Sequence, residues 1–333
     1  MFAFLLTRKI NNDKINIKLK RGGFYMKTAL RIISLILTII SVFSITFPYI
    51  VGRRLPESNY NYVVVIGVDG MGAFCKNTDT PNMDKIFENG CQTFEAVSMS
   101  PTISAQNWGA MLTGANPKVH NVTNENITEN TYSNIFLPTL FKRVRLAYPN
   151  AKIGAFCNWH PIYDGILEKG LNVTTQTDPS DEILTGEIIE YVKQKPKFLF
   201  VQFDEVDHAG HSYGYGSPEH LAQITKEDEY IKDIYDSYVE QGIIDETLFI
   251  VTADHGGNGK DHGYDSENEK MVFFGATGKT VIANSKPEYM QTKDISAIVL
   301  YALGIKIPLY YSKGFSSQVP QGVFDNYSKK YIK

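Results

Sequence analysis

The 333-residue sequence predicts an α/β protein with a doubly wound, mostly parallel sheet that follows an N-terminal transmembrane helix. Two observations predict the sheet: short, unbroken runs of Val, Ile and Phe recur along the chain, and longer segments with helix start signals separate them. A third observation, one uncharged stretch of 19 residues near the N-terminus, predicts the membrane helix.

The charge of the chain is divided unevenly between its N-terminus and the rest. Residues 1–31 contain eight Lys or Arg and one acid, a net charge of +7, although the whole chain carries −3; the remainder is therefore at −10. A protein that binds nucleic-acid duplexes normally has a basic excess, so the acidic body argues against one. The content of 43% hydrophobic and 21% charged residues excludes a disordered or collagen-like chain.

The uncharged stretch covers residues 32–50 and approaches the length that crosses a bilayer core. No small-x-small cleavage site follows it, which favours an uncleaved signal anchor over residues 32–52; a cleaved signal peptide and a buried core helix are the alternatives. The preceding basic residues place residues 1–31 in the cytoplasm and residues 55–333, as one domain, outside the cell membrane. Met26 is a natural start for such a leader, which leaves open whether residues 1–25 are an upstream over-extension.

Beyond residue 60, continuous apolar runs predict strands that are buried on both faces of a parallel sheet. The five clearest runs cover residues 62–68, 152–156, 198–203, 248–252 and 271–274. Two helices have start signals: Asp178-Pro179 precedes a helix over about 180–194, and Ser217-Pro218 precedes one that runs to about Glu240. The three cysteines lack the spacing of a metal knuckle, and we expect them to be buried as small apolar side chains.

Acids and histidines follow three of the predicted strands at the edge where open α/β sheets bind ligands. A single acid at such a place is usually a helix cap or turn residue, but six side chains of this kind favour a metal site. They are Asp69, Asp207, His211, Asp254, His255 and His262. Six ligands are too many for one tetrahedral ion and suit two. Carboxylate with imidazole favours zinc, and manganese or iron would also be compatible.

Ser104 is the candidate nucleophile. It stands where a helix over residues 105–112 is expected to begin, and Thr113-Gly114 ends that helix. A serine in this position is commonly an N-cap, but a nearby cation can convert it to an alkoxide. Asn107 lies one turn further on, where its amide could donate a hydrogen bond to a phosphoryl oxygen.

Four motifs in this order resemble the alkaline phosphatase superfamily, most closely its nucleotide pyrophosphatase/phosphodiesterase (type I phosphodiesterase) branch. They are VVVIGVDGMG at 63–72, SPTISAQNWGAMLTG at 100–114, FDEVDHAGH at 203–211 and ADHGGNGKDHG at 253–263. The resemblance implies an alkaline phosphatase-like fold. It also implies a two-metal site that forms a phosphoserine intermediate.

The resemblance further implies the ligand sets. One ion would be held by Asp69, Asp254, His255 and the nucleophile Ser104, and the other by Asp207, His211 and His262. Asn107 would contact the non-bridging phosphoryl oxygen. Trp159 falls where an aromatic residue of the substrate pocket is common. Trp108 is a second aromatic candidate for the pocket, although core packing is the usual fate of such a side chain.

The sequence departs from this branch at the nucleophile. The branch usually has Thr preceded by Lys, where this chain has Ser104 and Ile103, and serine is typical of the phosphomonoesterases. The preference between monoesters and diesters therefore stays open. No cysteine has the Cys-x-Pro-x-Arg context that a sulfatase needs, which disfavours that activity.

We therefore expect a single-pass, membrane-anchored phosphohydrolase whose catalytic domain lies outside the cytoplasm. Its partner would be a small phosphorylated substrate, such as a nucleotide, a phosphodiester or a lipid or glycan phosphate, and not a nucleic-acid duplex. Two alternatives stay open. One is a membrane transferase that passes a phospho-group such as phosphoethanolamine to a lipid or glycan. The other is a degenerate, non-enzymatic metal-binding or interaction domain.

Overall fold

A computed structural model describes Ser34 and residues 58–127, 137–178, 180–308 and 314–325. Its contacts divide the chain into the units Met1–Leu55 and Pro56–Lys333, and all elements below belong to the second unit. Apart from Ser34, the predicted membrane segment at 32–50 lies outside the described residues. Within the described part of the chain, no helix has the length and apolar character needed to cross a membrane.

A seven-stranded sheet with the order β2-β7-β6-β1-β5-β3-β4 forms the centre of the fold. Its strands are β1 (Tyr62–Val68), β2 (Cys91–Val97), β3 (Ile153–Cys157), β4 (Thr174–Gln176), β5 (Phe198–Phe203), β6 (Thr247–Thr252) and β7 (Met271–Thr277). Each of the five predicted apolar runs contributes a strand. The sequence prediction of a mostly parallel α/β sheet is thus confirmed for this unit.

The α-helices of the described residues are α1 (Pro81–Phe87), α2 (Ser104–Thr113), α3 (Pro117–His120), α4 (Leu140–Ala147), α5 (Pro161–Gly165), α6 (Asp181–Val192), α7 (Glu205–Tyr213), α8 (Pro218–Glu240), α9 (Glu267–Lys270) and α10 (Ile295–Ala302). Short 3-10 helices cover Phe74–Asn77, Ile244–Glu246 and Thr292–Asp294. Both predicted helices are present. The first is capped by Ser180, whose side chain accepts from the amide of Ile183, and not by Asp178.

The register of the central strands brings the acidic strand ends together. β1 pairs in parallel with β5 on one side and β6 on the other, so that Val63 lies opposite both Phe198 and Leu248. β5 and β6 are completely buried, as their unbroken apolar sequences predict. Because the three neighbouring strands end at the same edge, Asp69 and Asp254 emerge side by side there.

The structure differs from the predicted pattern at β7, β2 and β4. The apolar run of β7 is antiparallel to both of its neighbours, β6 and β2, which shows that burial on both faces does not itself fix strand direction. β2 is partly exposed and carries polar residues, and β4 is a three-residue exposed strand, so neither has an apolar run. All three cysteines are free and buried, which confirms their expected role.

Candidate metal centre and nucleophile

Two buried carboxyl groups stand at the centre of the site. Asp69 Oδ2 accepts hydrogen bonds from Trp108 Nε1 at 2.9 Å and from Gln202 Nε2 at 3.1 Å. Asp254 Oδ1 accepts from the backbone amides of Gly70 at 3.2 Å and His255 at 2.8 Å. The second oxygen of each group, Asp69 Oδ1 and Asp254 Oδ2, is buried without a hydrogen-bond donor. Each carboxylate is thus oriented by one oxygen and leaves the other available.

His255 turns its Nε2 atom toward these available oxygens. Its Nδ1 lies 2.9 Å from the carbonyl oxygen of Gly256, so Nδ1 carries the hydrogen and Nε2 keeps its lone pair. Nε2 lies 3.0 Å from Ser104 Oγ, 3.2 Å from Asp254 Oδ2 and 3.5 Å from Asp69 Oδ1. Ligands bound tetrahedrally at about 2.0–2.1 Å are roughly 3.3–3.4 Å apart, so these distances suit one central cation.

The imidazole rings of His211 and His262 are oriented in the same way as that of His255. Their Nδ1 atoms donate to the carbonyl oxygens of Lys260 at 2.9 Å and Thr102 at 2.7 Å, so that Nε2 of each ring is not used by the backbone. His211 Nε2 lies 3.2 Å from Asp207 Oδ2, and ligand atoms of Asp207, His211 and His262 all lie within 4.8 Å of one another. Backbone carbonyls that fix the outer nitrogen of a histidine are typical of metal ligands.

The two groups share Asp207. Ligand atoms of Asp69, Asp207 and His255 also lie within 4.8 Å of one another, so the two ligand sets are contiguous. The rings of His255 and His262 stack with their centroids 3.9 Å apart. All six sequence-predicted ligands are therefore brought to one place, in an arrangement that suits two neighbouring ions.

The electrostatics of the site favour bound cations. Burial, and then the charge of neighbouring aspartates, raises the pKa of both Asp69 and Asp254 well above the ordinary value. Burial, and to a smaller extent the nearby His262, lowers the pKa of His255 to about 3. Carboxylates buried beside a neutral imidazole are costly unless a positive charge compensates them. The donor set, two orphaned carboxylate oxygens and three open imidazole nitrogens, fits divalent ions.

The Asp207–His211 pair differs because it lies closer to solvent. Burial acts to raise the pKa of Asp207, but hydrogen bonds from His211 and Tyr215 and the nearby His255 bring it below its ordinary value. The hydrogen bond with Asp207 raises the pKa of His211 to about 9, against the effect of its partial burial. Without a cation, this half of the site is therefore held together as an ion pair.

Ser104 is the first residue of α2 and does not cap it. The N-cap residue is Ile103, and the Ser104 side chain makes no capping bond. Its Oγ instead faces His255 Nε2, and 7% of the residue is exposed. A negative charge that develops on Oγ would be favoured by the positive end of the helix dipole. The local structure thus supports the nucleophile interpretation over the cap.

Asn107 does not fit the role predicted for it. Its amide nitrogen donates to the carbonyl oxygens of Met99, Pro101 and Ile103, and its oxygen accepts from Ser98, Met99 and Thr292. The residue is fully buried. Both amide hydrogens are used within the loop that precedes α2, so none is left for a phosphoryl oxygen. Asn107 fixes this loop and thereby the position of the nucleophile.

Asn124 is a residue of the site that the sequence did not indicate. Its Oδ1 accepts from the backbone amide of Ala105 at 3.0 Å, which brings its carboxamide to the start of α2 beside Ser104. Among the described residues, no acceptor is found for its Nδ2 group. The loop that follows α3 brings Asn124 to the start of α2, so the position of this amide depends on the path of the loop.

Trp108 is a positioning residue and not a wall of a substrate pocket. It is fully buried, and its indole hydrogen bond orients Asp69. Its ring packs edge-on against Phe200 and lies so close to Gly67 that a Cβ there would come within 2.4 Å. The expectation that Trp108 contacts substrate is therefore wrong. Trp159 is half-buried after β3, and its role in a pocket stays a prediction.

Gln202 and Tyr215 complete the surroundings of the aspartates. Gln202, the one polar residue of β5, joins Asp69 to Asp204 through its Nε2. A single polar residue in an otherwise apolar strand is a signal that could have identified it. Tyr215 donates its hydroxyl hydrogen to Asp207 Oδ1. Its ring lies over Gly257, where a Cβ would approach to 2.2 Å, so no larger residue fits at this glycine of the ADHGG motif.

Comparisons with known proteins identify the family of this chain. The family model described as type I phosphodiesterase/nucleotide pyrophosphatase matches residues 63–176 and 147–269. An uncharacterised pyrophosphatase/phosphodiesterase of Schizosaccharomyces pombe is 25% identical over 276 residues, which are 74% of this chain and 57% of that protein. GPI ethanolamine phosphate transferase 2 of Aspergillus fumigatus is 26% identical over 241 residues, 65% of this chain and 31% of that protein. The chain thus spans about half of the first relative and a third of the second.

A solved structure shows the same fold at low sequence identity. Murine ectonucleotide pyrophosphatase/phosphodiesterase 5, in an inactive variant in complex with AMP, is 16% identical and superimposes with a TM-score of 0.65. The match covers 74% of this chain and 95% of the murine one. The matched family segments contain Ser104 and every predicted metal ligand. This chain is therefore a member of the type I phosphodiesterase/nucleotide pyrophosphatase family.

Proposed function

We propose that this chain is a metal-dependent hydrolase that cleaves phosphate esters through a phosphoserine at Ser104. The observation that carries the proposal is the position of Ser104 Oγ, 3.0 Å from His255 Nε2 and beside the unpartnered oxygens of Asp69 and Asp254. Membership of the family supports phosphodiesters or nucleotide pyrophosphates as the substrate class, and serine at position 104 keeps phosphomonoesters as the alternative.

Asp69, Asp254, His255 and Ser104 would hold one ion, and Asp207, His211 and His262 the other. Carboxylate and imidazole donors favour zinc, and manganese or iron would also suit them. When bound, two such ions would neutralise the carboxylates and stabilise the charge on the attacking and leaving oxygens of the reaction.

The proposed reaction has two steps. Ser104 Oγ loses its proton and attacks phosphorus, the ester P–O bond breaks, and the alcohol or phosphate departs with a proton. Water then attacks the phosphoserine, releases phosphate or a phosphomonoester and restores the serine. The N-terminal end of α2 favours the negative charge on Oγ, and Asn124 Nδ2 would donate to a phosphoryl oxygen. Asn107 keeps the preceding loop, and hence Ser104, in place.

Substitution of the nucleophile tests the proposal. Ser104→Ala is expected to abolish turnover of a nitrophenyl phosphate ester, while bound zinc, measured by mass spectrometry, stays near the wild-type amount because the six Asp and His ligands are retained. Ser104→Thr keeps a hydroxyl and should retain part of the activity. Ser212→Ala, on an exposed residue of α7, is the matched control. Full turnover by Ser104→Ala would refute the assignment.

The ester class needs a separate measurement. Serine at position 104 is typical of monoesterases, whereas the family model names phosphodiesterases and pyrophosphatases. The zinc-restored enzyme should be assayed with a nitrophenyl monoester, a bis-nitrophenyl diester and a nucleotide. We expect the diester or the nucleotide to have the highest kcat/KM. A clear preference for the monoester would assign the chain to monoester hydrolysis instead.

A second candidate function is transfer of a phospho-group to a lipid or glycan. The likeness to an ethanolamine phosphate transferase favours it, because a phosphoserine can be attacked by an acceptor alcohol in place of water. Incubation with phosphatidylethanolamine and a lipid or glycan acceptor would distinguish the two. A phosphoethanolamine-modified product in excess of free phosphoethanolamine would favour transfer.

We further propose that residues 32–52 anchor the chain in the cell membrane with the catalytic domain outside the cytoplasm. The uncharged stretch and the basic residues before it support this proposal. Added protease should digest the domain in cells that have lost their cell wall or outer membrane but keep an intact cytoplasmic membrane. Protection of the domain under those conditions would contradict the topology.

A further inference from the structure

A second cluster of carboxyl groups, which contains none of the candidate metal ligands, lies where three helices meet. Asp181 is the first residue of α6, Glu205 is the first of α7, and Glu227 lies within α8. One carboxylate oxygen from each lies within 4.8 Å of the other two. Asp181 and Glu227 are fully buried, and Glu205 is half-buried. None of the three is needed by the proposed reaction.

Most of the oxygens in this cluster have donors. The backbone amide of Asp181 donates to Glu205 Oε1 at 3.3 Å, and that of Glu205 donates to Asp181 Oδ2 at 2.8 Å. Gln223 Nε2 bridges Glu205 Oε2 and Glu227 Oε1, at 2.8 Å from each. Glu227 Oε2 is the exception, because it is buried and has no hydrogen-bond partner. The Glu227 carboxyl group lies against that of Asp181, so either a cation or a shared proton must compensate these two groups.

The charges of the cluster are also not balanced. Among the described residues, the one ion pair made with it comes from Lys226, whose Nζ lies 3.7 Å from Glu205 Oε2 and whose side chain is 45% exposed. Burial, and then Asp181, raises the pKa of Glu227 well above its ordinary value, and burial raises the pKa of Asp181 to about 6. Ionised carboxylates in such a place need a compensating cation or a proton.

We propose that Asp181, Glu205 and Glu227 bind one calcium ion between α6, α7 and α8. The donors are all oxygens, which calcium prefers and zinc does not require. Calcium accepts irregular sets of carboxylate ligands, whereas magnesium keeps more of its water and suits a buried site less well. The ion would fix the start of α7, the helix that carries Asp207 and His211, without touching the substrate.

Calcium binding can be measured in the full-length chain after the catalytic site is saturated with zinc. We expect one calcium per chain by equilibrium dialysis and a rise in Tm of roughly 3–6 °C at a calcium concentration about a hundredfold above Kd. Magnesium should give a smaller rise at the same concentration. Glu227→Gln should lose both the bound calcium and the Tm rise. Glu229→Gln makes the same charge change at an exposed position of α8 and should keep them.

The competing interpretation is a proton shared between Glu227 and Asp181. It predicts no calcium binding and no calcium-dependent Tm rise in the wild-type protein, and either absence overturns the proposal. Calcium binding that persists in Glu227→Gln also overturns it, because the ion then lies elsewhere. If Glu227→Gln does not fold, Glu205→Gln decides by the same two measurements, since Glu205 is half-buried and less sensitive to substitution.

Discussion

Replacement of Trp108 by phenylalanine tests whether the indole positions a metal ligand. The change removes the 2.9 Å hydrogen bond to Asp69 Oδ2 and keeps an aromatic ring beside Phe200. Gln202 is then the one remaining described donor to that oxygen. Because Oδ2 sets the direction of Oδ1, Asp69 should point less accurately toward the space between Ser104 and His255.

Two estimates of the effect agree. A hydrogen bond to a charged group contributes about 1.5–3 kcal/mol, and loss of a group that orients a metal ligand weakens metal affinity about 10–100-fold. The fold-change corresponds to about 1.4–2.7 kcal/mol. We therefore expect Trp108→Phe to raise the Kd for zinc about 10–100-fold and to leave kcat at saturating zinc within a few-fold of the wild type.

Reactivation of the chelated enzyme by buffered zinc measures this Kd directly, with activity and metal content recorded together. Trp159→Phe makes the same chemical change at the half-buried tryptophan, whose indole donates to no metal ligand among the described residues, and should leave the Kd unchanged. A wild-type Kd for Trp108→Phe would refute the positioning role. A lost kcat at saturating zinc would instead indicate that the indole acts on the reaction itself.

The remaining predictions concern the backbone and the protonation of the site. Gly70 has φ +68°, and a Cβ there would lie 2.5 Å from Asp207 Oδ1, so Gly70→Ala should lower both the stability of the fold and its zinc content. Gly170 is the control, because it has φ +78° but open space around it. Gly170→Ala should therefore show only the backbone cost of about 1–2 kcal/mol and bind a normal amount of zinc. Equal effects of the two alanines in urea denaturation would contradict the close approach. In the chelated protein, the hydrogen bond with Asp207 raises the pKa of His211 to about 9. The stability that this pair contributes is therefore fully present below a pH of about 6.5, the ordinary pKa of histidine, and is lost as the pH rises through 9. The urea midpoint of the wild type, relative to His211→Gln, should therefore fall between pH 6.5 and 9.5, and a constant difference would argue against the ion pair.

The sequence was sufficient to identify the six side chains that the structure brings together, because their signal is local. Asp69 and Asp254 directly follow apolar runs, and the topology of parallel sheets brings such strand ends to one edge. His255 and His262 are close to Asp254 in sequence, so their position is nearly fixed by it. The helix that starts at Ser104 is likewise predicted from the residues that form it.

The residues that orient the ligands could not be predicted in this way. Asn124 reaches the start of α2 through the path of a loop, and the burial of Trp108 depends on the packing of β1 and β5. Asn107 has the right distance from the nucleophile along the helix, but its direction is set by three carbonyl groups of the preceding loop. The direction of β7 depends similarly on its neighbours in the sheet.

The three central strands that supply the aspartates also decide when the ions can bind. β1 ends at Val68, whereas β5 begins at Phe198 and β6 at Thr247, so an unfolded chain has no preformed cluster of ligands. Ions that bind the folded state alone shift the folding equilibrium by mass action. The free concentration of the divalent ion around the protein would thus set the fraction of chains that stay folded, as well as the fraction that can react.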